Sequence, residues 1–138
     1  MPNLAFARTL QDAVLTAVVA LPSAASTSVT GIIDLGDDNL RPEPVELAFA
    51  LPALTTVIAP DTRTVNCSIE SSTTLDFSAV DQTLFTEVFT GAGGVGIAAK
   101  VRRARMPSNC ARYLRAKVTF GASTTDASSL NATFTLRF

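Results

Sequence analysis

The chain contains no histidine and no tryptophan, and only one tyrosine and two cysteines among its 138 residues. Without histidine there is no Ser-His-Asp or Cys-His nucleophile pair, no imidazole base working near pH 7 and no histidine-bearing zinc site. Any catalysis would rest on carboxylates, Lys or Arg. Glu43, Glu46, Glu70 and Glu87 supply carboxylates, but the sequence places no two of them across a cleft. The expectation is a protein that is not an enzyme, with no catalytic residue, no cofactor and no metal. Cys67 and Cys110 lack both C-x-x-C spacing and the dense, even pattern of a secreted disulfide scaffold. Val65, Cys67 and Ile69 fall on one face of an alternating strand, so Cys67 reads as a small inward apolar residue and Cys110 as a loop residue. Whether the two pair is open.

Charge is also scarce. Charged residues are 17% of the chain, hydrophobic residues 47%, and the formal net charge is −1. Mean hydropathy is positive. That balance excludes a disordered polymer and argues against a nucleic-acid binder. It also favours partner subunits covering part of the surface. The apolar run from Ala13 to Leu21 stops at Pro22 and is too short to span a membrane. With Pro22-Ser23-Ala24-Ala25 after it, the run has the outline of a secretion signal, but only Arg8 supplies positive charge and Asp12 lies directly before it. Manufacture in the cytoplasm and no membrane contact are expected.

What is present is alternation. Leu114, Ala116, Val118 and Phe120 share one face of a strand whose other face carries Tyr113, Arg115, Lys117 and Thr119. Leu130, Ala132, Phe134, Leu136 and Phe138 repeat the design, and the small polar stretch from Gly121 to Ser129 joins the two strands. Earlier candidates are Ser28 to Leu35, Val45 to Leu51 with Val45, Leu47, Phe49 and Leu51 inward, Thr64 to Ile69, Leu84 to Phe89 and Gly96 to Ala104. Gly36-Asp-Asp-Asn39, Pro60-Asp61 and Gly91-Ala-Gly-Gly94 punctuate them. About seven short strands with regular turns predict an all-β antiparallel sandwich or jelly roll over residues 26–138. Residues 1–25 read as an N-terminal arm or a short helix, the Val-rich run favouring the arm.

Several motifs fail on context. Gly91-Ala-Gly-Gly-Val-Gly96 fits G-x-G-x-x-G, but Pro107 interrupts any following helix and no Asp or Glu occurs from Ile97 to Thr125. A glycine turn is the better account. Asp34, Asp37 and Asp38 lack calcium-loop spacing. Asn66-Cys-Ser68 and Asn131-Ala-Thr133 match glycosylation sequons but need a secretory route. Lys100, Arg102, Arg103, Arg105, Arg112, Arg115 and Lys117 make a basic third of the chain, whereas Asp34 to Glu87 holds ten acidic residues against Arg41 and Arg63. Docking onto an acidic partner or a second copy explains this asymmetry, and strand-to-strand pairing within the chain explains much of it more simply.

The ordered features resemble the small jelly-roll capsid cement, or decoration, proteins of tailed bacteriophages, of the Bordetella-phage type. The residues carrying the resemblance are Ser26-Thr-Ser28 leading into Ile33-Asp-Leu-Gly36, Val45-Glu-Leu47, the segment from Ser71-Ser72 to Phe77, and Arg112-Tyr-Leu-Arg115 followed by Gly121 and the closing strand. The resemblance implies a jelly-roll homotrimer on the outer surface of a virion, at three-fold and quasi-three-fold positions. There it clamps subunits of a major capsid protein with the HK97-type fold, with no nucleic acid as partner. The longer, more apolar region before Ser26 departs from that pattern. Arg102, Arg103, Arg105, Arg112, Tyr113 and Arg115 are the candidate interface, since Tyr and Arg are common interface anchors. Two other classes stay in view. A secreted carbohydrate- or protein-binding sandwich needs a signal peptide and usually exposed aromatics, and a carboxylate-dependent hydrolase needs two close acids in a pocket.

Overall fold

A computed structural model of the chain describes residues 15–23, 25–36, 46–121 and 126–137. Nine strands follow in order: β1 (Leu15–Ala20), β2 (Thr27–Val29), β3 (Ile33–Asp34), β4 (Glu46–Leu51), β5 (Thr64–Ser72), β6 (Gln82–Thr90), β7 (Lys100–Arg105), β8 (Tyr113–Phe120) and β9 (Asn131–Arg137). Every pairing among them is antiparallel. The first sheet has the order β1-β9-β4-β7, and the second β2-β8-β5-β6 with β3 also on β8. The partners are nested: β1 with β9, β2 and β3 with β8, β4 with β7, β5 with β6. A long hairpin wrapped so that successive pairs alternate between two sheets gives this order, which is the jelly-roll form of the β-sandwich.

The core is the set of inward residues that alternation singles out. Leu114, Ala116 and Val118 on β8 and Ala132, Phe134 and Leu136 on β9 are all fully buried, and Leu47, Phe49, Leu51, Val65, Cys67 and Ile69 join them. A Phe or Leu buried this completely contributes roughly 1.5–3 kcal/mol relative to exposure, so the inner faces hold the two sheets together. Val45 and Phe138, also expected inward, lie outside the described residues, as do residues 1–14.

Three strands differ from the sequence expectation. The stretch from Ser28 to Leu35 divides into β2 and β3, and buried Thr30 bridges the gap. Its amide donates to Ala116 O at 2.9 Å while its hydroxyl accepts from the Ala116 amide at 2.9 Å. The β7 strand starts at Lys100, with Ile97 making only a bridge to Leu54. Over Leu15–Ala20, the segment expected as an arm or a short helix is an edge strand of the first sheet. β9 offers it a free ladder, and β-branched Thr16, Val18 and Val19 prefer that pleated setting to a helix. The boundary drawn at residue 25 therefore falls between two strands of the sandwich.

The glycine stretch is structural. A Cβ on Gly91 would meet the carbonyls of Ala59 and Pro60, and one on Gly96, whose φ is +77°, would meet the carbonyl of Leu54. Backbone approaches backbone here, with Leu54 and Ile97 exchanging amide bonds of 2.8 and 2.9 Å. The loop leads into β7, and no helix follows it.

Candidate interaction surface

The basic stretch that looks continuous in sequence is divided by the fold. Arg102, Arg103 and Arg105 lie on β7, an edge of the first sheet, whereas Arg112, Tyr113 and Arg115 lie at and on β8, inside the second sheet. The six expected interface residues therefore occupy two separate regions.

Most of them also have acidic partners within the chain. Arg102 Nε donates to both oxygens of Glu87 at 2.6 Å, crossing from the first sheet to the second and closing the side of the sandwich between β7 and β6. The Arg102 guanidinium also lies 5.7 Å from the Phe89 ring centre. Arg112 grips Asp34 through two bonds of 2.7 and 2.8 Å and stacks 5.1 Å over Tyr113. That fork, with a further bond from the Gly36 amide, holds the Asp34 carboxyl down at about 2. Arg103 lies 3.7 Å from Glu46. Arg105 has no ion pair among the described residues.

Glu70 is the most enclosed of these acids, at 4% exposure. Arg115 reaches it at 2.9 Å and Lys117 at 2.5 Å. Burial alone works to raise its pKa, but the hydrogen bonds from Lys117 and Arg115 outweigh burial and the net shift is downward. Ordinary alternation along β5, in unbroken register with β8, sets this carboxylate on the outer face with Asn66 and Ser68, and the register shift at Ile69/Glu70 affects only the pairing with β6. The loop of residues 73–81 then folds back and seats Phe77 against Arg115, 4.3 Å from guanidinium to ring centre. Phe77 takes a positive φ of 51° to get there.

The remaining described acids cap loop backbone. Asp61 accepts from the Gly94 amide, Asp76 from Ser78, Asp81 from Thr73 and Asp126 from Ser128. Every described carboxylate thus has a partner inside the chain. Asp37, Asp38 and Glu43 lie outside the described residues, and among the described ones no three His, Cys, Asp or Glu side chains converge as a metal site would require. Cys67 and Cys110 are both buried, and burial, with Glu87 adding to it, pushes the Cys67 thiol up to about 12.

Two broad outer faces remain. That of the second sheet is polar: Tyr113, Arg115, Lys117 and Thr119 on β8 stand beside Thr27 and Val29 on β2 and Asn66, Ser68 and Glu70 on β5. That of the first sheet is built of small neutral side chains at its centre, with charged ones toward one end. Across β1, β9, β4 and β7 its outward rows read Thr16, Thr135, Ala48, Arg103 and then Val18, Thr133, Ala50, Val101. Val18 and Val101 are more than half exposed, and Glu46 stands between Arg137 and Arg105 at one end of the face. Sequence reading missed this face, because Ala and Thr carry no chemical signature. The register of four strands that are distant in the chain is what assembles it.

No family model matches the chain, and no curated protein does. Among solved structures, the K1 cleaved adhesin domain of Lys-gingipain from Porphyromonas gingivalis W83 is similar at 18% identity and a TM-score of 0.46, over 80% of this chain and 59% of that one. The K3 adhesin domain of the same protein shares 15% identity over 81% of this chain and 63% of its own, at a TM-score of 0.46. This chain thus spans about three fifths of the length of those domains. A chain of the empty virus-like particle of cowpea mosaic virus is similar at 14% identity and a TM-score of 0.46, over 91% of this chain and 79% of that one. These are likenesses of fold.

Proposed function

We propose that this chain is a non-catalytic structural subunit, a capsid cement protein that trimerises and clamps neighbouring HK97-type shell subunits on the outside of a tailed-phage virion. The observation that supports it is the pair of open outer faces, polar and ion-paired on one sheet, small and neutral at the centre of the other, carried by one rigid sandwich. A plate with two unlike faces holds two unlike neighbours at once, which is what a clamp does. Its charges are largely neutralised internally, so no single contact is strong, and several copies on one shell gain stability by multivalency. The shell-facing patch is assigned to the second sheet around Arg112, Tyr113 and Lys117. A carbohydrate-binding module would instead use exposed aromatics, and the large hydrophobics exposed among the described residues are all aliphatic.

The test is cosedimentation of the purified protein with expanded phage shells stripped of decoration, together with its mass by light scattering. Saturable binding in multiples of three copies supports the reading. A monomer that stays in the supernatant at about 10 μM, where stable protein contacts are populated, refutes it.

A further inference from the structure

We infer that a second copy of this chain docks on the outer face of the first sheet, about a two-fold axis that runs parallel to the strands between β9 and β4. Rotation about that axis lays each outward row on its own reverse. In the row Val18, Thr133, Ala50, Val101, the exposed Val18 meets the second copy's Val101 and Thr133 meets Ala50, each contact occurring twice. In the row containing Arg137 and Glu46, Arg137 meets the second copy's Glu46 and Glu46 meets its Arg137. The rotation also sets Arg103 on Thr16, so among the arginines of the face Arg137 is the one that gains an acid; the apolar row and the Arg137–Glu46 pair are complementary to themselves, as an isologous contact requires.

The charge state of the single chain points the same way. Arg137 stands directly opposite Glu46 in the ladder yet makes no ion pair among the described residues, and Glu46 has only the 3.7 Å approach of Arg103. Turning the axis across the strands instead sets the row of Arg137, Glu46 and Arg105 against that of Ala20 and Asn131, which leaves the arginines without acids. In the centre Ala48, Ala50, Thr133 and Thr135 leave room for two sheets to approach to roughly 10 Å with near-aligned strands.

Area sets the strength. Three strand spacings of about 4.8 Å and six residues at about 3.4 Å give a face of roughly 300 Å², well short of the ~800 Å² per partner of a standard stable interface. The contact is weak in dilute solution and fills when copies are crowded side by side, as on a shell, where it would link neighbouring trimers. It is a contact between copies and stands whether or not a capsid is the other partner.

Cross-linking without any capsid tests the register. In a Val18→Cys/Val101→Cys variant of the full chain the two thiols sit on opposite edges of the sheet, about 14 Å apart, twice the ~7 Å limit for an internal disulfide. A short bifunctional thiol reagent that reaches across the roughly 10 Å between facing backbones, and not the about 14 Å across one sheet, is expected to give a covalent dimer in about tenfold higher yield than with Val18→Cys alone, Val101→Cys alone or the second-sheet pair Val29→Cys/Val88→Cys, as a defined rather than random contact requires. Native Cys67 and Cys110 are buried and stay out of the reaction. In sedimentation, Glu46→Arg and Arg137→Glu are each expected to weaken self-association about tenfold, and their combination to restore it. All four sites face solvent, so circular dichroism should show unchanged folding. Equal cross-linking in the double variant and any of the comparison variants overturns the inference, as does a charge swap that fails to rescue.

Discussion

Replacing Glu70 by Gln should destabilise the protein at neutral pH and flatten its response to acid. The Glu70 side chain is 6% exposed, while those of Arg115 and Lys117 are 22% and 34% exposed. Breaking a fully buried ion pair costs roughly 3–5 kcal/mol and an exposed one about 0–1. A carboxylate this enclosed, between cations that keep partial access to water, falls between those limits at about 2 kcal/mol. For a domain of this size that corresponds to about 6–8 °C in melting temperature. The folded pKa of Glu70 lies below its ordinary 4.5, so the folded state binds fewer protons there. Its stabilisation is complete above the ordinary pKa of 4.5 and is lost as pH falls through the lower folded one, so the gap between wild type and Glu70→Gln should narrow progressively as the solution is acidified below that ordinary value. Thermal unfolding followed by circular dichroism from pH 7 to pH 3 measures both effects. Arg115, released from Glu70, also loosens Phe77, so protease cleavage within residues 73–81 should rise in the variant. A melting point within 1 °C of wild type at pH 7, or an unchanged gap between the two proteins across the acid range, would falsify this account.

Two further substitutions or probes address other parts of the fold. Gly96→Ala combines a positive φ of +77° with a Cβ driven into the Leu54 carbonyl, and should cost about 2–4 kcal/mol by chemical denaturation, whereas Gly31→Ala, with open space around it, should cost under about 1. Both thiols should resist a bulky thiol reagent in the native protein, being buried at 0% and 3% exposure, and react completely once denaturant is added; rapid native labelling of Cys67 would contradict its placement in the core.

The strands were legible wherever one face met solvent and the other met the core. Leu114, Ala116 and Val118 alternate with Tyr113, Arg115 and Lys117 because β8 is half-buried, and any one-residue slip would exchange those faces. β1 was not legible as a strand, because an apolar run such as Leu15–Ala20 suits an arm, a helix or a strand equally, and only the distant β9 decides among them. The partners of the basic residues were hidden for a related reason. Arg115 meets Glu70 across 45 positions and Arg112 meets Asp34 across 78, and both meetings depend on strand register. The division of the basic stretch between two sheets follows from the β7–β8 connection crossing the sandwich, which no local pattern encodes.

Internal neutralisation changes what recognition by such a subunit can rest on. Once Asp34, Glu46, Glu70 and Glu87 are held by cations of their own chain, long-range steering of a partner is weak, and a surface arginine must break an existing pair before it contributes to a new one. Specificity then falls to shape and register, which a flat array of Ala, Thr and Val presents well and a flexible charged surface presents poorly. In the row of Arg137, Glu46 and Arg105 the arginines have no ion pair among the described residues, and there a second copy of the same chain brings its Glu46 to Arg137. Association of this kind should therefore depend only modestly on salt and steeply on the volume of the side chains at Ala48 and Ala50. That is the opposite of a basic patch binding an acidic polymer, whose affinity falls by orders of magnitude as salt rises.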